Sequence, residues 1–313
     1  MRGRVIHTGQ AVVDLVMNVP SLPVAGGDVF ATSHQITAGG GFNVMAAASR
    51  DGSDVLYLGG HGTGRFGDIV RYAMAEECIT VTQDAVPTVD TGFSVAIVDA
   101  SAERTFVSTL GAEGYLTMKD LEAARVREGD VVYVSGYSLY HQHNGGVIAD
   151  WLPELPYGVH VVVDPSPMIG QIPEELLSRV IAHTTVWTTN ESEARVLAAR
   201  LGIEGEDAAT LAEAIGTALN VTTVVRANRD GAWVAGPGEP VLHVESFPVA
   251  AVDTNGAGDA HTGVLCAGLA QGRKLVASVR RANAAAAVAV TRRGPATSPS
   301  RAEIDALLGK QDR

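Results

Sequence analysis

Short β-branched runs recur through the second half of the chain, at Val131–Val134, Val159–Val163, Thr185–Thr188 and Val221–Val225. Between them lie amphipathic or alanine-rich segments at helical spacing. Strand and helix in alternation predict a parallel sheet with helices on both faces. Ligands in such sheets sit beyond the carboxyl ends of the strands. Those ends carry Gly136-Tyr137, Asp164-Pro165, Asn190 and Arg226.

The N-terminal part reads differently. Val5–Val13 predicts a strand, and Asp14 follows inside a second apolar run of Leu15, Val16, Met17 and Val19. Pro20, Pro23 and Gly26-Gly27 break the pattern, and Val29–Ile36 is extended again. Val55–Leu58 predicts a strand, followed by a glycine-rich loop over 59–68 and a helix to about Glu77. Thr91–Val98 and Arg104–Leu110 predict two strands around a turn at 99–103. The extended pieces at 15–36 and 91–110 predict a small sheet apart from the main one. The chain, 1–313, reads as one α/β domain with this small sheet inserted in two pieces.

The stretch Asp253-Thr254-Asn255-Gly256-Ala257-Gly258-Asp259 precedes apolar residues at helical spacing, Val264, Leu265, Ala267 and Leu269. It predicts a turn feeding a helix N-terminus. Glycine lets backbone amides face open space, and the helix dipole adds partial positive charge there. Such a terminus binds phosphate or a developing oxyanion without a cationic side chain. Asp259 beside it is placed to take a proton from a hydroxyl. Amide nest and base together suit phosphoryl transfer to an alcohol. The plain alternative is a glycine-rich turn with an acid near a helix start.

Composition narrows the classes. The formal net charge is −12 with no basic run, which argues against a nucleic-acid surface. The longest apolar run, near Ala284–Val290, is too short to span a bilayer. The cysteines, Cys78 and Cys266, lie in apolar helical segments and read as buried thiols in a reducing compartment. We expect a cytoplasmic protein with no nucleic-acid or membrane partner.

The run Asp253–Asp259 closely resembles the C-terminal signature of the ribokinase-like (PfkB) family of sugar and nucleoside kinases. Gly39-Gly40-Gly41-Phe42-Asn43 resembles its N-terminal signature, a glycine pair followed by Asn, although Asn43 also suits a helix cap. The resemblance implies a three-layer fold with a β-sheet lid that often makes a dimer contact. It implies Asp259 as general base and the amides of Gly256, Ala257 and Gly258 as the anion hole. It places Asp14, Gly39, Gly40, Asn43 and Tyr137 at the acceptor. Tyr137 stands where ribokinase carries a Glu, so ribose is not secured as the acceptor. Asn190-Glu191-Ser192-Glu193 is a capping-box pattern and also resembles the family's Asn-x-x-Glu motif, whose Glu holds magnesium through water.

The same resemblance puts Asn190, Arg226, Asn228, Gly231 and Asn283 at ATP. Here Arg226 and Asn228 replace the Thr and first Gly of the usual Thr-x-Gly-x-x-Gly, and Asn tolerates positive φ. Arg226 reaches a phosphate or pairs with an acid; the sequence leaves both open. Backbone positions Asp253, Asn255, Ala289, Arg292, Gly294 and Ser298 would hold potassium. The expected activity is ATP-dependent phosphorylation of a neutral pentose or hexose. A nucleoside is the second acceptor class, and a sensor without turnover the third reading. A nucleotide-dependent oxidoreductase is disfavoured, because no Gly-x-Gly-x-x-Gly follows the first strand.

Overall fold

The structure is a computed structural model and describes residues 2–101 and 103–311. Of the expected turn at 99–103, Ala102 lies outside the described residues. In chain order the strands are β1 (Val5–His7), β2 (Ala11–Asn18), β3 (Ser33–Gly40), β4 (Val55–Tyr57), β5 (Thr80–Val81), β6 (Phe93–Val98), β7 (Arg104–Ser108), β8 (Val131–Ser135), β9 (His160–Asp164), β10 (Val186–Asn190), β11 (Thr222–Arg226), β12 (Ala232–Ala235) and β13 (Leu242–Val244). The helices are α1 (Gly41–Arg50), α2 (Arg65–Glu76), α3 (Met118–Glu122), α4 (Gly136–Tyr140), α5 (Gln142–Trp151), α6 (Glu174–Ile181), α7 (Glu191–Leu201), α8 (Ala208–Leu219), α9 (Ala257–Ala270), α10 (Leu275–Ala289) and α11 (Arg301–Gln311).

The main sheet runs β13-β12-β11-β10-β9-β8-β1-β4-β5, parallel except that β12 runs opposite to both of its neighbours. Its central strands β8 to β11 are buried on both faces, which is why they read as short β-branched runs. Along β8, Val131 and Tyr133 join the core built with α1, α9 and α10, while Val132 and Val134 join the core beneath α5 to α8. Val224 and Val225 divide the same way on β11. Each buried Val contributes about 1.5–3 kcal/mol relative to an exposed one.

The expected Val5–Val13 strand is in fact broken. β1 stops at His7, and β2 leaves the main sheet at Ala11 for a second sheet of order β3-β2-β6-β7. Local bonds make the break. Thr8 turns its amide and hydroxyl onto Tyr133 O, and the Gly9 amide donates to His7 Nδ1 over 3.1 Å. A Cβ on Gly9 would lie 1.7 Å from Ser138 Oγ, so glycine is needed at this close approach. The break carries Asp14 to the mouth of the main sheet. Gly39 and Gly40 end β3, and α1 begins only at Gly41.

Cys266 is buried as expected, but Cys78 is exposed, because α2 ends before it and the chain turns there at φ 54°. The short elements β5, α3 and α4 fall outside the patterns read from sequence. No helix among the described residues is long and apolar enough to cross a membrane.

Candidate active site

α9 starts where the glycine run predicts. Its cap, Gly256, takes φ 73°, and a Cβ there would lie 1.8 Å from Pro295 O. The turn therefore needs glycine for backbone shape and for space. Ala257 N donates to Thr254 O over 3.3 Å and Ala260 N to Gly256 O over 2.8 Å. Among the described residues, the amides of Gly256, Gly258 and Asp259 have no acceptor. The set of open amides thus differs by one member from the set expected for an anion hole: the Ala257 amide is already engaged inside the turn, and the Asp259 amide is open.

Asp259 lies in the first turn of α9, partly buried. Asn43 Nδ2 donates to its Oδ2 over 3.0 Å. Burial, with Asp164 and Glu193 adding repulsion, pushes its carboxyl up to about 6, against the pull of Asn43 and Arg226. Asp14, brought in by β2, is also raised to about 6, by burial and by the charge of Asp259. The two carboxyls therefore share one poorly solvated space. Gly39 adjoins it, since a Cβ there would lie 1.9 Å from Asp14 Oδ2. Asn43 Oδ1 is buried with no partner among the described residues, an acceptor awaiting a donor. Burial, and then the charges of Asp259, Glu193, Asp164 and Asp14, raise the Tyr137 phenol. The structure brings Asp14, Gly39, Asn43 and Asp259 together, and the charges of the two acids reach the Tyr137 phenol.

Behind the turn lies a buried polar knot. Arg226 Nη1 donates to Asp164 Oδ2 (2.9 Å), Thr188 Oγ1 (2.9 Å) and Thr262 Oγ1 (3.1 Å). Arg226 Nη2 lies 3.7 Å from Glu193 Oε2. Asn190 and Glu193 form the expected capping box at the start of α7, and Glu193 Oε2 also accepts from Thr189 Oγ1 over 3.1 Å. Burial and then Asp164 raise the Glu193 carboxyl above the ordinary value. Glu193 Oε1 accepts nothing among the described residues and suits a water of a hydrated magnesium ion.

The nucleotide positions divide. Asn228 takes φ 53° and Gly231 φ 86°, so Asn supplies the left-handed residue where the usual pattern has glycine. Asn283 is buried, and its Nδ2 donates to Val244 O and Glu245 O. The structure uses this amide to tie α10 to the end of β13, rather than turning it towards a ligand. At the positions expected for a monovalent cation, Asp253 Oδ1 accepts from Asn255 N and from Arg104 Nη2, and Oδ2 from Gly294 N. Burial opposes ionisation of Asp253, but those donors hold its carboxyl below the ordinary range. Ser298 O accepts from Arg50 Nη1, and Ala289 O from Thr297 Oγ1. The carbonyl oxygens of Asp253, Asn255, Arg292 and Gly294 accept nothing among the described residues.

Sequence reasoning missed the Arg104–Asp253 pair and the hydroxyls of Thr188 and Thr262. Nothing local marks them, because each joins elements far apart in the chain. Asp164 carried a signal, its place at a strand end.

The sequence profile of the pfkB family carbohydrate kinases matches residues 3–302. The chain is 32% identical over 304 residues to an uncharacterized sugar kinase of Escherichia coli (strain K12), YegV, covering 97% of this chain and 93% of that one. It is 29% identical over 310 residues to a ribokinase of Haemophilus influenzae, covering 97% of each. Among solved structures, a ribokinase from Thermotoga maritima superposes with TM-score 0.81 at 20% identity, over 99% of this chain and 100% of that one. A ribokinase from Arabidopsis thaliana, complexed with ribose and ATP, does so with TM-score 0.80 at 22% identity, over 98% and 99%.

Proposed function

This chain belongs to the pfkB family of carbohydrate kinases, and from that premise we propose that it moves the γ-phosphoryl group of ATP to a hydroxyl, primary in the first instance, of a small neutral pentose or hexose. The observation that carries the reading is the pairing of Asp259 with the open amides of Gly256 and Gly258 at the start of α9. Asp14 and Asn43 orient the acceptor and Asp259 takes its proton. The amides meet the charge on the transferring group, which no longer resides on the nucleotide and not yet on the sugar.

Bound magnesium would neutralise the phosphates, with Glu193 Oε1 and Asn190 holding its water shell. Potassium would be held by the carbonyls of Asp253, Asn255, Arg292 and Gly294 and would add positive charge beside the turn. ATP would lie along Asn228 and Gly231.

The acceptor space is lined by carboxyls, with Asp14 and Asp259 both raised by poor solvation. An anionic sugar phosphate would meet repulsion there, which supports a neutral acceptor. The small sheet is the lid of this reading. It exposes Phe106, Val107, Met17 and Ile36, and Phe30 in the loop before β3 is 87% exposed. We take that apolar surface as the contact between two copies of the chain in a homodimer.

The test is ADP release from ATP across a panel of sugars and nucleosides, with and without potassium. Turnover on one neutral sugar, lost in D259N while ATP still binds, is the expected result. Full turnover in D259N ends the assignment.

A further inference from the structure

Arg226 sits at the carboxyl end of β11, and its guanidinium reaches the first turns of α9. Nη1 is saturated by Asp164, Thr188 and Thr262. Nη2 is not: its nearest partner is Glu193 Oε2 at 3.7 Å, beyond hydrogen-bond distance. Thr262 lies one helical turn after Gly258, so both share a face of α9. The geometry agrees, since Arg226 Nη2 is 3.9 Å from where a Cβ on Gly258 would stand. Apart from its chain neighbours and the backbone of α9 itself, nothing else heavy lies within 4 Å of that point. The space over Gly258, in the same first turn whose amides are open, is therefore bordered by an unsatisfied guanidinium N–H.

Building on the kinase reading above, we propose that Arg226 is a catalytic residue, a fixed cation of the anion hole that donates from Nη2 to the transferring phosphoryl group. In the step it serves, the acceptor oxygen forms a bond to the γ-phosphorus. The bond from that phosphorus to the β,γ-bridging oxygen breaks, and its electron pair leaves with ADP. The hydroxyl proton goes to Asp259. Negative charge on the equatorial oxygens is met by the Gly256 and Gly258 amides and by Arg226. Asp164, Thr188 and Thr262 fix the guanidinium plane in advance, so no side chain has to reorganise when charge develops. Arginine suits this task because its fork holds an acid with one nitrogen and presents the other.

Removing Arg226 alone leaves Asp164 and Glu193 buried without their cation, so loss of activity in a single variant has two explanations. The test is therefore the double variant R226M/D164N beside R226K, R226T and the unaltered protein. Melting temperature, ATP affinity and kcat are read on a sugar that the unaltered protein turns over. The proposal expects the double variant to fold and to bind ATP within about threefold, with kcat down about 10²–10³-fold, the cost of losing one such donor. A double variant with kcat within about threefold of the unaltered protein overturns it, because Arg226 then only balances Asp164. A parallel collapse of ATP affinity and kcat overturns it too. If the unaltered protein is inert on every acceptor, the kinase reading fails by itself. Binding of ADP with magnesium and aluminium fluoride then decides: tighter binding than ADP alone, lost in R226M/D164N, supports the role of Arg226, and equal binding refutes it.

Discussion

Asn43 Nδ2 donates to Asp259 Oδ2 over 3.0 Å, although 216 positions separate the two residues. The bond joins the first turn of α1 to the first turn of α9. It forms because the helices touch closely: a Cβ on Gly263 would lie 2.3 Å from Val44 O. In the proposed reaction, acceptor binding and proton removal would thereby be held in one frame.

That bond stabilises the ionised base, so its loss has a readable sign. In N43A the carboxyl of Asp259 should rise above about 6, by about half a unit to one unit for one charge-assisted hydrogen bond. The acid limb of the kcat profile should move up by the same amount. At pH 7 the base would still be at least half ionised, so kcat/KM should fall by about twofold or less through the base, and any larger fall reports the contact of Asn43 with the acceptor. A pH–rate profile with its acid limb unmoved would show that Asn43 does not act on the base.

Stability should depend on pH through the same carboxyls. Folded Asp14 and Asp259 stand at about 6, against 3.8 for the ordinary group. The native state then holds more protons than the unfolded state between about 4 and 6, so stability falls as pH rises through that window and stays lower above it. D259N removes the penalty. It should raise stability at pH 8 by about 1–2 kcal/mol, discounted for partial solvation, and change little at pH 4. Thermal melts of D259N and D14N at the two pH values check the sign.

Much of this site was legible in the sequence because it is built from short segments. The turn before α9, the capping box at Asn190 and the glycine pair before α1 each carry their chemistry within a few residues. The unread parts depend on distance. Gly9 looks like a strand residue until Ser138 is seen beside it, so the split of Val5–Val13 was hidden. Arg226 offered two readings, and only Asp164 and Thr262, on other elements, give it an orientation.

Gly256 and Gly258, the two glycines proposed to form the anion hole, should respond differently to a methyl group. On Gly256 it would lie 1.8 Å from Pro295 O, at φ 73°. G256A should therefore lose stability, about 2 kcal/mol or more from backbone strain and displacement of the loop. On Gly258 it would meet only Arg226 Nη2, at 3.9 Å. G258A should keep its melting temperature and lose turnover, because the methyl occupies the space where phosphoryl oxygen belongs. Equal melting temperatures for the two variants would contradict the account.

The small sheet is tied to the loop before α9 by Arg104 Nη2 on Asp253 Oδ1 at 2.7 Å, which in the proposed reaction links the lid to the anion hole. Asp253 also receives the amides of Asn255 and Gly294. R104M should free the lid from that loop with little loss of stability, since a partly exposed pair contributes about 1 kcal/mol or less. Water then enters the site more readily. The expected signature is a raised sugar KM, together with ADP release in the absence of sugar. Sugar-independent ADP release equal to that of the unaltered protein would show that the pair does not guard the site.

Glu193 separates a structural role from a metal role. Its Oε2 closes the capping box on Asn190 N and accepts from Thr189, both of which a glutamine oxygen can reproduce. Its charge is what a magnesium water shell requires, and glutamine lacks it. Because burial and Asp164 raise the Glu193 carboxyl, removing the charge should also relieve the fold. E193Q should therefore melt at or above the temperature of the unaltered protein. The magnesium concentration for half-maximal turnover should rise about 10–100-fold, the usual cost of losing an outer-shell partner. Titration of magnesium at fixed, saturating ATP measures this. An unchanged magnesium requirement with unchanged melting would leave Glu193 as a helix cap alone.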